Sequence, residues 1–519
     1  MEASQAIELS LFARRIEAVC DEMGAQLRRA AFSPNIRDRL DYSCAVFDVA
    51  GELAAQAAHI PVHLGSMAYA MQDIVRRFDW RPGDQVILND PFMGGTHLPD
   101  VTLVMPVFHG ETLVGFVANR AHYADIGASA PGSMPLSTTL AEEGVLIPPQ
   151  RIASAGALDE ARLAAIVEAT RNPTDVRGDL QAQLAANRRG GERLLALVER
   201  MGVDAYAAAL VALNDYAERL ARAALADIPP GTYRFEDVME DDGQGGTDLP
   251  VRVAVTVSGQ AEAVVDFTGT HAQTAGNINC PLSVTAAGVW YVFRCLMPAH
   301  TPACAGAFRP VRLVAPAGSL LNAAPPAAVA AGNVETSSRV VDVVLGALAQ
   351  ALPERIPAAS QGTMNNIAFG QDGEGAWGYY ETLGGGMGGG PHHPGLSAVQ
   401  SHMTNTRNTP VEVLELRYPV RVLRYALRRG SGGAGRHPGG DGLVREYEFL
   451  APATLTFLTE RRRRAPWGLR GGAPGAPGLN HHNDREVPAK TRLALRAGDR
   501  VTVATPGGGG WGDPAAEEA

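Results

Sequence analysis

Apolar residues near the start of the chain recur every three to five positions, which is the spacing of one face of an amphipathic helix. The repeating positions are Ile7, Leu11, Ile16, Val19, Met23 and Leu27. We therefore predict a single helix from Ile7 to about Ala31.

After Asp41 the pattern changes to short apolar runs separated by Gly, Pro and Asp, which is typical of strands. The runs lie at residues 44–48, 85–88, 101–105 and 113–117. Residues 158–227 differ again, because they are rich in Ala, Leu, Arg and Glu and contain few Gly or Pro. This segment predicts three helices.

Pro229, Pro230 and Gly231 end the helical block, and alternating residues beyond them predict strands at 232–236, 251–257 and 263–267. Residues 283–297 and 336–352 again have a helical pattern, and Gly-rich loops with short strands follow Tyr379. We predict an α+β protein of mixed multidomain architecture, with an N-terminal helix, a helical block, and β-rich second and C-terminal parts. The predicted domains are 1–228, 229–378 and 379–519.

The size and charge of the chain limit the number of domains and the kinds of binding partner that are expected. Its 519 residues exceed what one compact core usually holds, so about two to four domains are expected. The formal net charge of −10 argues against general affinity for nucleic acid, which needs a concentrated Lys and Arg surface. The one basic run, 461–464, is interpreted as the solvated end of a strand, with a salt-bridge surface for a partner as the alternative.

The cysteines and the N-terminal residues indicate the compartment. Five cysteines are too widely spaced for a disulfide framework or a Cys-x-x-Cys metal site, which suggests a reducing environment. The first residues lack the basic and apolar regions of a signal peptide, and no apolar stretch reaches transmembrane length. We therefore expect a cytoplasmic protein that has no membrane partner.

The same four-residue motif occurs twice near the predicted strands, as His97-x-x-Asp100 and His122-x-x-Asp125. Each places an imidazole and a carboxylate three residues apart, and both follow strands and lie among Gly and Asn. Two imidazoles with one or two carboxylates suit Zn²⁺, Mn²⁺ or Fe²⁺, whereas Mg²⁺ and Ca²⁺ favour oxygen ligands alone. The pair predicts a metal site.

A third histidine pair, His59 and His63, has the spacing of one helix face, but Pro61 between them argues against a helix. We interpret both as turn residues near the site. The alternative is that they contact substrate, or that they hold a metal-binding side chain in position by a hydrogen bond.

Two further groups of residues have structural interpretations. Glycine-rich segments at 384–390, 431–436 and 507–510 lack the ending of a phosphate-binding loop, so we favour structural turns over loops that line the active site or a partner interface. A set of polar side chains is interpreted as buried groups that satisfy loop backbones. These are Asn277, Asn279, Asn333, Glu335, Gln361, Asn365 and Asn366.

Several segments together resemble the hydantoinase B/oxoprolinase family. They include Gly94-Gly-Thr-His-Leu-Pro-Asp100 and Ala331-Gly-Asn-Val-Glu-Thr-Ser337, together with segments 41–48, 59–67, 276–281, 358–366, 408–412 and 431–435. The resemblance covers essentially the whole chain.

The resemblance implies a division of labour between two subunits. An A-type partner that uses ATP phosphorylates the carbonyl oxygen of a cyclic amide, and a B-type chain then opens the ring at a divalent metal ion. The residues that match the family's metal ligands are Asp41, His97, Asp100 and His122. The absence of an ATP-binding motif here fits a chain that relies on a partner for ATP.

The predicted function is therefore the metal-dependent B-type subunit of an ATP-dependent cyclic amidase, a hydrolase of carbon–nitrogen bonds. A carboxylate such as Asp125 or Glu143 is a candidate for taking a proton, and His63 is a third candidate catalytic residue. Two alternatives stay open: a subunit of a ketone carboxylase similar to acetone carboxylase, and a non-catalytic scaffold subunit with a structural metal.

Overall fold

The computed structural model describes residues 3–57 and 59–515. It confirms the N-terminal helix as α1 (Ala3–Ala30), which is followed by the single turn α2 (Pro34–Arg37). The buried face of α1 begins at Leu9 and Phe12, and the predicted positions Ile7 and Leu11 are 62% and 50% exposed. The first turns of the predicted stripe thus lie outside the core.

The first half of the chain is built on one seven-stranded antiparallel sheet with the order β2-β1-β5-β4-β3-β6-β7. Its strands are β1 (Tyr42–Phe47), β2 (Leu53–Gln56), β3 (Gln85–Leu88), β4 (Asp100–His109), β5 (Thr112–His122), β6 (Gln150–Ser154) and β7 (Ala157–Leu158). The runs predicted at 85–88, 101–105 and 113–117 lie within β3, β4 and β5, and the run at 44–48 overlaps β1.

The segment around Pro61 folds as a helix, α3 (Pro61–Val75), which corrects the interpretation of His59 and His63 as turn residues. Proline is tolerated in the first turn of a helix, because the N–H that it lacks would have no partner there. Pro61 therefore starts the helix, and His63 lies in the first turn. The apolar face of α3 packs on one side of the seven-stranded sheet.

The helical block contains three helices as predicted: α4 (Glu160–Glu168), α5 (Pro173–Met201) and α6 (Val203–Ala226). Helix α5 packs against α1 and covers the side of the sheet opposite to α3. Two glycines allow this close approach, since a Cβ atom at Gly190 would overlap Met23 and one at Gly191 would overlap Met105. The central strands β4 and β5 are therefore buried on both faces.

The middle of the chain forms a four-stranded sheet with the order β11-β10-β9-β8 and two buried helices. The elements are β8 (Gly231–Asp241), β9 (Thr247–Val257), β10 (Ala263–Asp266), β11 (Val311–Val314), α7 (Leu282–Leu296) and α8 (Ser337–Leu348). One turn of π-helix, Gly332–Thr336, leads into α8. The strands and helices predicted for this region are confirmed.

The C-terminal part contains two sheets, with the orders β13-β12-β16-β19 and β14-β15-β20-β17-β18. Its elements are β12 (Asn366–Gln371), β13 (Trp377–Glu381), α9 (Val411–Arg417), β14 (Val420–Arg428), β15 (Gly442–Phe449), β16 (Ala453–Leu458), β17 (Leu479–His482), β18 (Arg485–Glu486), β19 (Lys490–Leu495) and β20 (Arg500–Ala504). The two sheets enclose their own apolar core around Phe369, Tyr447 and Phe457.

The three glycine-rich segments pack directly on one another. Their backbones exchange hydrogen bonds, from Gly389 N to Gly509 O at 2.8 Å and from Gly433 N to Gly508 O at 2.9 Å, and Gly440, just after the second segment, donates from N to Met387 O at 2.8 Å. A Cβ atom at most of these glycines would overlap a backbone atom from another part of the chain. This arrangement agrees with the interpretation of these segments as structural turns.

These elements confirm the α+β class and the multidomain organisation. The largest apolar core runs from Leu9 to beyond Leu352 and crosses the predicted boundary at 228/229, whereas the second core lies within residues 367–503. The domain boundaries stay predictions. Within the described ranges, no helix is both long enough and apolar enough to cross a membrane.

The basic run at 461–464 is only in part the solvated strand end that we predicted, since Arg463 and Arg464 are exposed but Arg461 is not. Arg461 is buried, and its guanidinium lies 2.7 Å from Asp237 and 2.6 Å from Asp342. Arg339 approaches the same two carboxylates at 3.1 and 3.3 Å. The run therefore joins the middle of the chain to its C-terminal part, because opposite charges removed from water have to pair.

Replacing Arg461 with Ala is expected to destabilise the protein by about 3 kcal/mol or more, since it leaves two buried carboxylates short of a partner. Arg463 is a matched control, because its side chain is half exposed and lies 3.6 Å from Asp248. Arg463→Ala should cost less than about 1 kcal/mol. Denaturant midpoints of the two variants measure the difference, and equal midpoints would contradict the expectation.

Candidate metal centre

The register of β4 and β5 creates the centre of the site. Asp100 is the first residue of β4 and His122 is the last residue of β5, and the two lie directly opposite each other. His97 enters from the turn before β4, where Asp100 N donates to His97 O at 3.1 Å and Tyr123 N donates to Pro99 O at 2.8 Å. Residues from a strand start, a strand end and a turn thus meet at one edge of the sheet.

The side chains of His97, Asp100 and His122 converge in the interior, and each is at most 2% exposed. His97 Nε2 lies 3.3 Å from Asp100 Oδ2 and 3.3 Å from His122 Nδ1, and His122 Nδ1 lies 3.1 Å from Asp100 Oδ1. Among the described residues these three form the group able to hold a metal ion. Such separations suit atoms that each lie about 2.0–2.1 Å from a shared ion.

Hydrogen bonding to the far side of His97 supports this assignment. His97 Nδ1 lies 3.1 Å from the carbonyl oxygen of Ala330, to which it donates. A neutral ring with its proton on Nδ1 directs the Nε2 lone pair into the cluster, as metal-binding histidines do. A divalent cation would satisfy this lone pair together with the Asp100 carboxylate, so the residues fit the predicted metal.

Two further predicted residues lie beside these three. His63 Nε2 is 3.2 Å from Asp100 Oδ2, and His63 Nδ1 is 3.4 Å from Ser43 Oγ. Asp41 lies farther out, with Oδ1 3.9 Å from His63 Nε2 and Oδ2 3.9 Å from Arg39 Nη1. The structure therefore brings His63 into contact with the cluster and places Asp41 at its rim.

Asp125 lies away from the cluster, although its motif is spaced like that of Asp100. Its Oδ1 accepts from Gly127 N at 3.0 Å and its Oδ2 accepts from Asn172 N at 2.8 Å. Both oxygens thus hold backbone turns, and the part of the chain that the structure describes shows no hydrogen bond or ion pair between Asp125 and the cluster. Its role as a proton acceptor stays a prediction.

Glu143 is fully buried behind His97 and does not touch it. Its carboxylate accepts from Ser137 Oγ at 2.8 Å and from Val329 N and Ala330 N at 2.9 Å each. Residue Ala330 therefore links the two side chains, since its N–H donates to Glu143 and its carbonyl accepts from His97. Glu143 holds the segment that orients His97, and its predicted role in proton transfer stays untested.

Burial and mutual contact set the charges of the cluster. Burial raises the pKa of Asp100, but the His63 and His97 rings outweigh it and hold the pKa well below its usual range. Burial lowers the pKa of His97, yet the neighbouring Asp100 carboxylate leaves it raised. Burial dominates at His122 and lowers its pKa. Without a cation the cluster thus keeps its carboxylate ionised through contact with the imidazoles.

Replacing Glu143 with Gln is expected to change how stability depends on pH. Burial raises the pKa of Glu143 from 4.5 to about 7. Between these values the unfolded chain has lost a proton that the folded chain keeps, so this carboxyl makes folding less favourable as the pH rises. At about 1.4 kcal/mol per pKa unit, wild type should lose roughly 3 kcal/mol relative to Glu143→Gln.

Denaturation of the metal-free proteins at about pH 5 and about pH 8 measures this loss. Glu142→Gln is the control, because Glu142 is the neighbouring residue and is only partly buried. A stability difference between wild type and Glu143→Gln that does not change with pH would contradict the expectation.

Asn333, predicted to be one of the buried amides that satisfy loop backbones, contacts the cluster directly. Its Nδ2 lies 3.1 Å from His97 Nε2 and 3.3 Å from Asp100 Oδ2. Tyr380 was missed, and its ring stacks on His122 with centroids 4.7 Å apart. Neither residue is near the histidines in sequence, so no spacing could have indicated them.

The chain was compared with known families and proteins. The family profile described as Hydantoinase B/oxoprolinase matches residues 5–514. The chain is 40% identical to 5-oxoprolinase 1 of Arabidopsis thaliana over 98% of its own length and 42% of that protein. It is 32% identical to a Pseudomonas sp. protein provisionally named as the B component of a D-/L-hydantoinase, over 97% of this chain and 89% of that protein.

A solved structure has the same overall fold. ATP-dependent caprolactamase from Pseudomonas jessenii superimposes with a TM-score of 0.92 and 30% sequence identity, over 98% of this chain and 91% of that chain. The chain spans 40 to 42% of the length of the 5-oxoprolinases from Arabidopsis thaliana and Dictyostelium discoideum that it matches.

Proposed function

The chain belongs to the hydantoinase B/oxoprolinase family, and on that premise we propose that it is the metal-dependent B-type subunit of an ATP-dependent cyclic amidase. The observation that carries the proposal is the buried convergence of His97, Asp100 and His122. A buried ionised carboxylate needs a compensating charge, and a divalent cation held by the neighbouring imidazoles would supply it.

The proposed ligands are Asp41, His97, Asp100 and His122, and the proposed ion is Zn²⁺, Mn²⁺ or Fe²⁺. Asp41 has to move to join the other three, since its carboxylate lies 3.9 Å from His63 and 3.9 Å from Arg39. When bound, such an ion acts as a Lewis acid and makes water a stronger nucleophile near neutral pH.

The residues around the cluster would prepare the reaction. His63 is proposed to take part in proton transfer, because its ring lies beside the cluster, with Nε2 3.2 Å from Asp100 Oδ2. Ser43 holds the other nitrogen of this ring at 3.4 Å. Asp125 and Glu143 are weaker candidates, since their oxygens already accept backbone N–H groups. The burial of the whole cluster would exclude bulk water from the reacting carbon.

The proposed substrate is a cyclic amide activated with ATP by an A-type partner. An amide carbonyl is a poor electrophile, and phosphorylation of its oxygen gives an imidate-like carbon that carries a good leaving group. The name of one relative supports a partner: the chain matches 89% of the length of the Pseudomonas sp. protein provisionally named as the B component of a D-/L-hydantoinase.

Reconstitution tests the proposal. We expect the isolated chain neither to hydrolyse ATP nor to open hydantoin, 5-oxoproline or caprolactam, and we expect ring opening to appear when a cognate A-type partner is added. The readouts are phosphate release and the amino acid formed by ring opening. Robust ATPase activity of the isolated chain, abolished by changes in its glycine-rich segments, would overturn the division of labour.

Metal removal separates the catalytic role from a purely structural one. Chelation should abolish ring opening while the far-ultraviolet circular dichroism of the chain stays unchanged. Unfolding on chelation would instead support a scaffold subunit with a structural metal.

A further inference from the structure

The side-chain amide of Asn333 directs its N–H group towards the atoms of His97 and Asp100 that would bind a cation. Its side chain is buried, and its Nδ2 lies 3.1 Å from His97 Nε2 and 3.3 Å from Asp100 Oδ2. Its Oδ1 is also buried and, among the described residues, has no hydrogen-bond partner. The amide therefore places its positive end on the cluster and leaves its negative end unsatisfied.

This orientation cannot persist once an ion is bound. The Nε2 lone pair of His97 and the Asp100 carboxylate would then face the cation, and an N–H group pointed at the same place would be repelled by it. Half a turn of the terminal amide torsion exchanges Oδ1 and Nδ2, and this torsion is broad and roughly two-fold. The exchange would bring the unsatisfied buried Oδ1 onto the ion and would take the N–H group away from it.

The backbone around Asn333 is fixed in a way that holds its side chain at the cluster. Ala331 N and Gly332 N both donate to Asn277 O, at 2.9 and 3.1 Å. Ser337 Oγ donates to Asn333 O at 2.6 Å. The segment Gly332–Thr336 is a π-helical turn, a feature that often occurs at functional sites. These contacts fix the backbone position from which the Asn333 side chain reaches the cluster.

We propose that Asn333 is a ligand of the divalent ion, through Oδ1. This inference rests on the proposed metal centre, because it adds a neutral oxygen from a segment more than two hundred residues away in the chain to the histidine and carboxylate ligands. One ligand would then come from the middle part of the chain, so that the ligands would lie in two of the three predicted domains.

The test measures metal affinity of the isolated full-length chain, so it needs neither substrate nor partner. The metal-free protein is titrated with Mn²⁺, and free Mn²⁺ is followed by electron paramagnetic resonance; a competition with Zn²⁺ gives the affinity for the second ion. We expect Asn333→Ala to bind Mn²⁺ at least about tenfold more weakly than wild type. Asn333→Asp, which keeps the oxygen and adds charge, should bind at least as tightly as wild type.

Asn119→Ala is the matched control. Asn119 is a buried asparagine on the same strand as His122, its Oδ1 also lacks a partner among the described residues, and its Nδ2 binds Gln183 O and Asn187 Oδ1 on α5, away from the cluster. It should lose stability and keep the wild-type affinity. Thermal melts of the metal-free variants show whether each is folded.

The outcomes separate this inference from the proposed function. If wild type binds Mn²⁺ or Zn²⁺ and Asn333→Ala binds equally well, Asn333 is not a ligand, while the metal centre stands. Weaker binding by Asn333→Asp than by wild type would also overturn the inference, because an oxygen would still be in place. If wild type binds no divalent ion, both the proposed metal centre and the proposed role of Asn333 are overturned.

Discussion

Replacing His97 and His122 together with Ala is expected to strip the divalent ion from the purified chain. Wild type should carry about one ion, and the double variant should carry almost none, since two nitrogen ligands of a site with about four protein ligands are lost. Both rings approach Asp100, at 3.3 and 3.1 Å, so their removal also leaves that buried carboxylate with fewer partners. Elemental analysis of protein purified without added metal measures the content.

A matched control removes two histidines from elsewhere. His392 and His393 are exposed in a loop that follows a glycine-rich segment, and their joint replacement with Ala should leave the metal content unchanged. No metal in wild type, or full metal occupancy in the His97→Ala, His122→Ala variant, would rule out the proposed centre. Any activity left in the double variant should fall in proportion to its metal content.

Replacing Asp100 with Asn should reduce ring opening far more than it reduces the partner's phosphorylation step. Asp100 accepts from Thr96 Oγ1 at 2.5 Å and contacts all three histidines of the site. The amide loses the negative charge and turns one oxygen into a donor, so metal affinity and the reactivity of water should both fall. We expect ring opening to fall by about hundredfold or more, while ATP is still consumed.

The reconstituted complex provides the measurement, as the ratio of ATP hydrolysed to ring opened. Asp242→Asn is the matched control, because it makes the same chemical change at a buried carboxylate that holds a backbone turn outside the cluster. The control ratio should stay near that of wild type. Equal loss of both steps in an intact Asp100→Asn complex would mean that this carboxylate positions substrate for phosphorylation, and unchanged ring opening would remove it from the site.

Much of the fold could be predicted from local patterns. The N-terminal helix, the central strands and the three helices at 160–226 are confirmed, because their apolar spacing directly reflects which side of each element is buried. Helix α3 was missed because the rule against proline in helices was applied to Pro61 without allowing for the first turn. The burial of Arg461 in the basic run was missed, since its partners Asp237 and Asp342 are remote in sequence.

The candidate site was predictable in part. The repeated His-x-x-Asp spacing drew attention to His97, Asp100 and His122, which the structure brings together. The same spacing gave Asp125 equal weight, yet that residue lies beyond the end of β5, in a turn that uses both of its oxygens. Spacing shows that two side chains can converge, whereas the pairing of strands decides whether they do.

The sequence by itself determined the class of the fold, the family, and the segments in which ligands would be found, because these depend on residue types and short-range order. The tertiary structure alone decided which atoms meet. Asp100 faces His122 through the register of β4 and β5, and His63 arrives from the first turn of α3. Asn333 and the Ala330 carbonyl come from a segment more than two hundred residues away. A cluster with spacings near 3 Å requires distant elements to pack in one arrangement, and that requirement leaves no local pattern in the chain.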